Sequence, residues 1–140
     1  MKVALRKSSN LPLQRRELML VQRTRTPALR VVYPDVGHLR IELVFSDPSA
    51  NTPSPQFHTL FPAAPAFFRF ACPCADCDGD FDLTVAVKTA LESPNWRKQG
   101  AVSTSDVLPC RGTRLHQKSE DKSCSMQLRF KLLAAPRSVA

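Results

Sequence analysis

Five cysteines carry most of the chemistry open to this chain: Cys72, Cys74, Cys77, Cys110 and Cys124. Cys74-Ala75-Asp76-Cys77-Asp78-Gly79 is a C-x-x-C-x-G run placed just after a segment that reads as a strand. Two thiolates at that spacing in a turn can face one ion while nearby backbone amides donate to the sulfurs, and the glycine permits the chain reversal. This is half of a tetrahedral metal site. Cys110 and Cys124 are 14 positions apart and flank a polar loop between two predicted strands. If those strands pair as a hairpin, both cysteines lie at its neck and close the set. The expected ligands are therefore Cys74, Cys77, Cys110 and Cys124, and the expected cofactor is a structural zinc with sulfur about 2.3 Å from the metal. Cys72 is in phase with Phe68 and Phe70, which points it into the core as a buried thiol.

Other chemistries fit the same residues less well. An odd number of cysteines cannot be fully paired within the chain, and without a secretory signal the thiols are expected to meet a reducing compartment. Asp76, Asp78, Asp80 and Asp82 surround the pair. Their charge disfavours the thiolate that a redox-active C-x-x-C needs, whereas a divalent cation outweighs it. A calcium loop counted from Asp76 would need glycine and glutamate where Phe81 and Val87 stand. Only four glycines occur, at spacings that supply neither common phosphate-binding loop. His38, His58 and His116 sit in unrelated segments with no nucleophile or carboxylate at motif spacing, and His58 reads as a packed or exposed side chain.

The run from Cys74 to Gly79 resembles the first knuckle of a zinc-ribbon-like or treble-clef-like module. In such a module a second cysteine pair from a neighbouring hairpin or helix closes the site. The resemblance covers some 50 residues and departs from the ribbon pattern at the second pair, which is not a C-x-x-C. The longer run from Phe70 to Leu83 is similar to small uncharacterised bacterial proteins. The resemblance implies a metal site and no activity.

The elements that must hold this site are mostly extended. Leu39, Ile41, Leu43 and Phe45 alternate with polar residues, as do Met126, Leu128, Phe130 and Leu132, so each run predicts a half-buried strand. Phe68, Phe70 and Cys72 predict a third strand, Leu29, Val31 and Tyr33 a fourth, and Ala101 to Leu108 a return to the sheet. Five prolines between Phe45 and Phe67 predict a long connection with short extended pieces around Phe57 to Phe61. Leu83, Val87, Ala90 and Leu91 fall at helical spacing, with Asp82 as N-cap and Pro94 as stop, which predicts a helix over 83–93. The expected fold class is α+β: an antiparallel sheet with one helix following a zinc knuckle.

The formal charge of +8 is unevenly spread. Residues 1–34 hold eight basic residues and one acid, whereas the remaining 106 hold 12 basic and 11 acidic. The basic character thus belongs to an N-terminal arm, expected over residues 1–26 as a solvated leader; the contiguous Leu18, Met19, Leu20 and Val21 do not predict an amphipathic helix there. The zinc-stapled domain is expected over 27–135, with a tail at 136–140. No run is long and apolar enough for a membrane span, and the start lacks a secretory apolar stretch, so the expectation is a cytoplasmic protein that engages no membrane. A closed four-cysteine zinc leaves no position for substrate, which points to a non-catalytic interaction module with a protein partner. The alternative is a nucleic-acid-binding accessory protein that uses the basic arm.

Overall fold

Alternation with period two builds the central sheet. The computed structural model describes residues 11–47, 55–74, 77–94, 96–97, 102–114 and 123–137. In chain order the elements are α1 (Leu11–Arg25), α2 (Leu29–Val32), β1 (Val36–Ser46), β2 (Gln56–Leu60), β3 (Arg69–Ala71), β4 (Asp80–Asp82), α3 (Thr84–Glu92), β5 (Val102–Pro109) and β6 (Gln127–Pro136). β1 buries Leu39, Ile41, Leu43 and Phe45, and β6 buries Leu128, Phe130, Leu132 and Ala134. The two strands run antiparallel with Leu43 opposite Phe130 and Phe45 opposite Leu128, so their apolar side chains share one face. β2 and β5 flank them in the order β2-β1-β6-β5, and β3 pairs with β4 in a second, two-stranded sheet. The class is α+β with antiparallel pairing throughout, as the alternation implies.

The helix after the knuckle forms as its periodicity requires. α3 buries Val87, Ala90 and Leu91 on the stripe that faces the core. Asp82 lies one residue further from the helix than an N-cap, yet its Oδ1 accepts the Thr84 N–H at 2.9 Å and so serves the first turn. Beyond the helix, the buried Trp96 donates its indole N–H to the Leu91 carbonyl at 2.9 Å, satisfying a terminal acceptor.

Two segments differ from the sequence reading. Leu29 to Tyr33 is not a strand: α2 is a single helical turn, and Val31 is 67% exposed although it shares the alternation of buried Leu29. The Leu29 and Arg30 amides donate to the Ala64 and Pro62 carbonyls, which fixes the turn against the proline-rich connection. The second difference is α1, a helix of 15 residues in the basic arm. Polar contacts help to dock it: Arg15 reaches Asp80, Arg16 reaches two carbonyls and, among residues 14–25, Met19 alone is buried. Leu18, Leu20 and Val21 remain exposed. Apolar periodicity does not reveal such a helix because arginine contacts, which leave no apolar trace, help to seat it. In the expected loop between the last two strands, residues 115–122 lie outside the described residues.

Candidate metal centre

Each of four strand ends delivers one thiol to a single point. Cys72 follows β3, Cys77 sits in the turn before β4, Cys110 follows β5 and Cys124 precedes β6. The pairing of β5 with β6 places Cys110 and Cys124 at the neck of a hairpin, and the Cys110 N–H donates to the Met126 carbonyl at 2.9 Å. The β3–β4 hairpin does the same for Cys72 and Cys77.

The two hairpins present their sulfurs by one repeated arrangement. In the first, the Cys72 N–H donates to the Gly79 carbonyl at 3.0 Å and the Gly79 N–H donates to Cys77 Sγ at 3.3 Å. In the second, the Cys124 N–H donates to the Gly112 carbonyl at 3.0 Å and the Gly112 N–H donates to Cys110 Sγ at 3.3 Å. Cys72 thus corresponds to Cys124 and Cys77 to Cys110. The halves interlock at Asp78 and Thr113: the Asp78 N–H reaches the Thr113 carbonyl, and the Thr113 N–H reaches Asp78 Oδ1 at 2.8 Å.

The corresponding sulfurs meet across the centre at 3.8 Å for Cys72 and Cys124 and 3.7 Å for Cys77 and Cys110. All four ligand atoms lie within 4.8 Å of one another, and all four residues are buried. Four sulfurs each about 2.3 Å from a central ion stand about 3.8 Å apart in a tetrahedron, so the two cross-centre distances match a four-thiolate cage. Four buried cysteines are placed so that they could hold a metal ion.

The electrostatics have the same sense. Hydrogen bonds from the Cys72 and Cys77 thiols push Cys110 below the ordinary thiol range, and its thiolate also accepts the Gly112 amide. Cys72 and Cys77 are raised in turn, chiefly because they donate to Cys110 and also because they are buried. The four thiols are thus close enough to exchange hydrogen bonds, and the mutual repulsion of four thiolates is what a divalent cation would offset as the larger local charge.

Of the expected ligands, Cys77, Cys110 and Cys124 are brought together, and the fourth thiol of the cluster is Cys72. Cys74 stands half-buried beside it. Its amide donates to the Cys72 sulfur and its carbonyl accepts the Cys77 N–H at 3.2 Å. The inward phase that marked Cys72 as a core residue is what aims its sulfur at the other three, so burial and convergence are the same orientation here.

Charged groups surround the centre. Arg114, buried, pairs with buried Asp47 and hydrogen-bonds the Cys124 sulfur. Ser125 Oγ donates to the second Asp47 oxygen at 2.6 Å. On the opposite side Arg16 Nη2 donates to the Cys72 and Cys74 carbonyls at 3.0 and 3.1 Å, and Asp80 receives both Arg15 and Arg69. None of these arginines carries a motif that sequence reading detects. His58 packs against Phe70 with ring centroids 4.9 Å apart and is not among the clustered ligands, and His116 lies outside the described residues.

No family model matches the chain, and no curated protein or solved structure shows significant similarity to it. Among the described residues no helix is long and apolar enough to cross a membrane.

Proposed function

We propose that this chain is a small zinc-binding protein in which Cys72, Cys77, Cys110 and Cys124 hold one structural zinc, and that it acts as a non-catalytic interaction module for a protein partner. The observation that carries the reading is the set of four buried thiols whose sulfurs lie within 4.8 Å of one another, with two pairs at 3.7 and 3.8 Å. Zinc is favoured over other ions by an all-sulfur set of four, and the paired Cys-x-Gly turns make the arrangement zinc-ribbon-like. Four thiolates fill a tetrahedral ion, so neither substrate nor water has a coordination position. Residues 27–135 form the zinc-stapled domain on this reading, and the arm docks on it through α1. A reducing, cytoplasmic setting accords with five free thiols.

The basic-arm alternative draws less support. Arg15 and Arg16 are turned to the protein, where they reach Asp80 and two backbone carbonyls. Native mass spectrometry before and after acid denaturation, with elemental analysis, tests the metal. One zinc per chain, released on denaturation with all five thiols reduced, supports the proposal. Iron, no metal or a pair of disulfides overturns it. Binding of an oligonucleotide that weakens steeply with salt and vanishes on deleting residues 1–26 would replace the protein partner with nucleic acid.

A further inference from the structure

α1 does not lie flat on the body. Between it and the β2 and β3 strands runs an open groove of about 630 Å³. Met19, Phe67 and Phe70 form its apolar floor, and Leu20, 59% exposed, stands at the rim. Arg16, Arg23 and Arg69 line the same groove, and no carboxylate does. Arg69 is held by Asp80 and Arg16 by two backbone carbonyls. Arg23 makes no ion pair among the described residues, and its charge adds to burial in favouring the neutral ring of His58. One wall is β2, the edge strand of the four-stranded sheet, where an added strand could take up backbone hydrogen bonds.

We propose that this groove is the docking site for an acidic peptide segment with apolar anchors. The proposal rests on the interaction-module reading and names its partner's chemistry. Charge complementarity selects the occupant: a carboxylate side chain meets Arg23 at the rim, where an Arg fork can hold it through two bonds, and apolar side chains enter over Met19, Phe67 and Phe70. Nucleic acid fits less well, because Phe67 and Phe70 are each under a tenth exposed and offer little ring face for stacking. An extended peptide matches the edge strand, on which alternate side chains would face the floor.

The test is fluorescence anisotropy of the full chain with a labelled octapeptide of alternating leucine and glutamate, with metal content measured on the same samples. Saturable binding is expected, with affinity lowered about tenfold or more by Arg23→Glu and by Leu20→Glu. Val85→Glu, at a position 75% exposed on α3, should leave it unchanged. Replacing glutamate by lysine in the peptide should abolish binding. Equal binding of the lysine peptide, or indifference to both groove variants, overturns the proposal. So does dimerisation that buries the groove without peptide, or preference for oligothymidylate. Because zinc is read separately, loss of peptide binding with zinc retained sinks the groove alone, and peptide binding without zinc sinks the metal reading alone.

Discussion

Gly79 and Gly112 meet backbone to backbone. A methyl group built on Gly112 would stand 2.5 Å from the Gly79 Cα and 2.7 Å from Cys77 Sγ, and one on Gly79 would stand 2.6 Å from Cys110 Sγ. Real carbon contacts are never so short, and the neighbours include backbone that cannot swing aside. The glycines therefore set how closely the two cysteine turns approach, and with it the distance between sulfurs.

Gly112→Ala should push the turns apart and cost about 2–3 kcal/mol of stability, a value in the range of backbone clashes at a packed site. The urea midpoint at fixed metal concentration reads the stability, and competition with a chelator reads the accompanying loss of metal affinity. An unchanged midpoint and unchanged affinity would mean that the turns can separate without consequence for the cage.

Cys72→Ser and Cys74→Ser separate the two possible ligand sets. The first should release the metal and loosen the end of the fold that carries both hairpins, because metal-binding free energy becomes folding free energy. The second should keep one metal per chain with a small change in stability. Metal retained in Cys72→Ser and lost in Cys74→Ser would assign the site to the C-x-x-C spacing.

Asp47 and Arg114 form a buried pair, with side chains 1% and 7% exposed. Asp47→Ala should cost about 3–5 kcal/mol, since it leaves a buried guanidinium beside Cys124 without its carboxylate. The Asp47→Ala/Arg114→Met double variant should lose less than the sum of the two single variants. Additive losses in denaturant unfolding would show that the two side chains act independently.

His58 predicts a pH dependence. Burial and then the nearby Arg23 charge lower its pKa from the ordinary imidazole value of 6.5, so the folded chain favours the neutral ring. A group depressed in this way stabilises the fold fully above its unfolded pKa, and the contribution is lost as pH falls through the lower folded value. Stability should therefore drop as pH falls below the ordinary value of 6.5, and His58→Gln should show a smaller drop over the same range. Identical pH profiles for the two proteins would remove His58 from the account.

The strands that hold the site were legible because each buries one face. β1 and β6 alternate cleanly, and the burial of Leu39 to Phe45 and of Leu128 to Ala134 follows that pattern. The convergence of Cys77, Cys110 and Cys124 followed from spacing and from the hairpin that β5 and β6 form. The burial of Cys72 was legible from its phase, but its place in the cluster was not, because an inward-facing cysteine looks alike whether it fills a core or faces other thiols. α1 was hidden for a different reason: arginine contacts to Asp80 and to carbonyls seat it, and such contacts leave no periodic trace. Leu29 to Tyr33 shows the converse error, an alternating run whose backbone is claimed by the carbonyls of a distant connection.

The order in which the four thiols appear along the chain has a consequence for biosynthesis. Cys72 and Cys77 leave the ribosome well before Cys110, and Cys124 comes last of the four. A nascent chain thus carries a two-thiol turn with an incomplete coordination sphere while α3 and β5 are still being made. Any ion captured then can exchange freely, because two thiolates bind far more weakly than four. With the proposed four ligands, an ion would become enclosed only when the strand after Cys124 folds back against β5. On the four-thiolate reading, selection of the ion is coupled to completion of the last hairpin, and the longest loop the ion would cross-link is the one between Cys77 and Cys110.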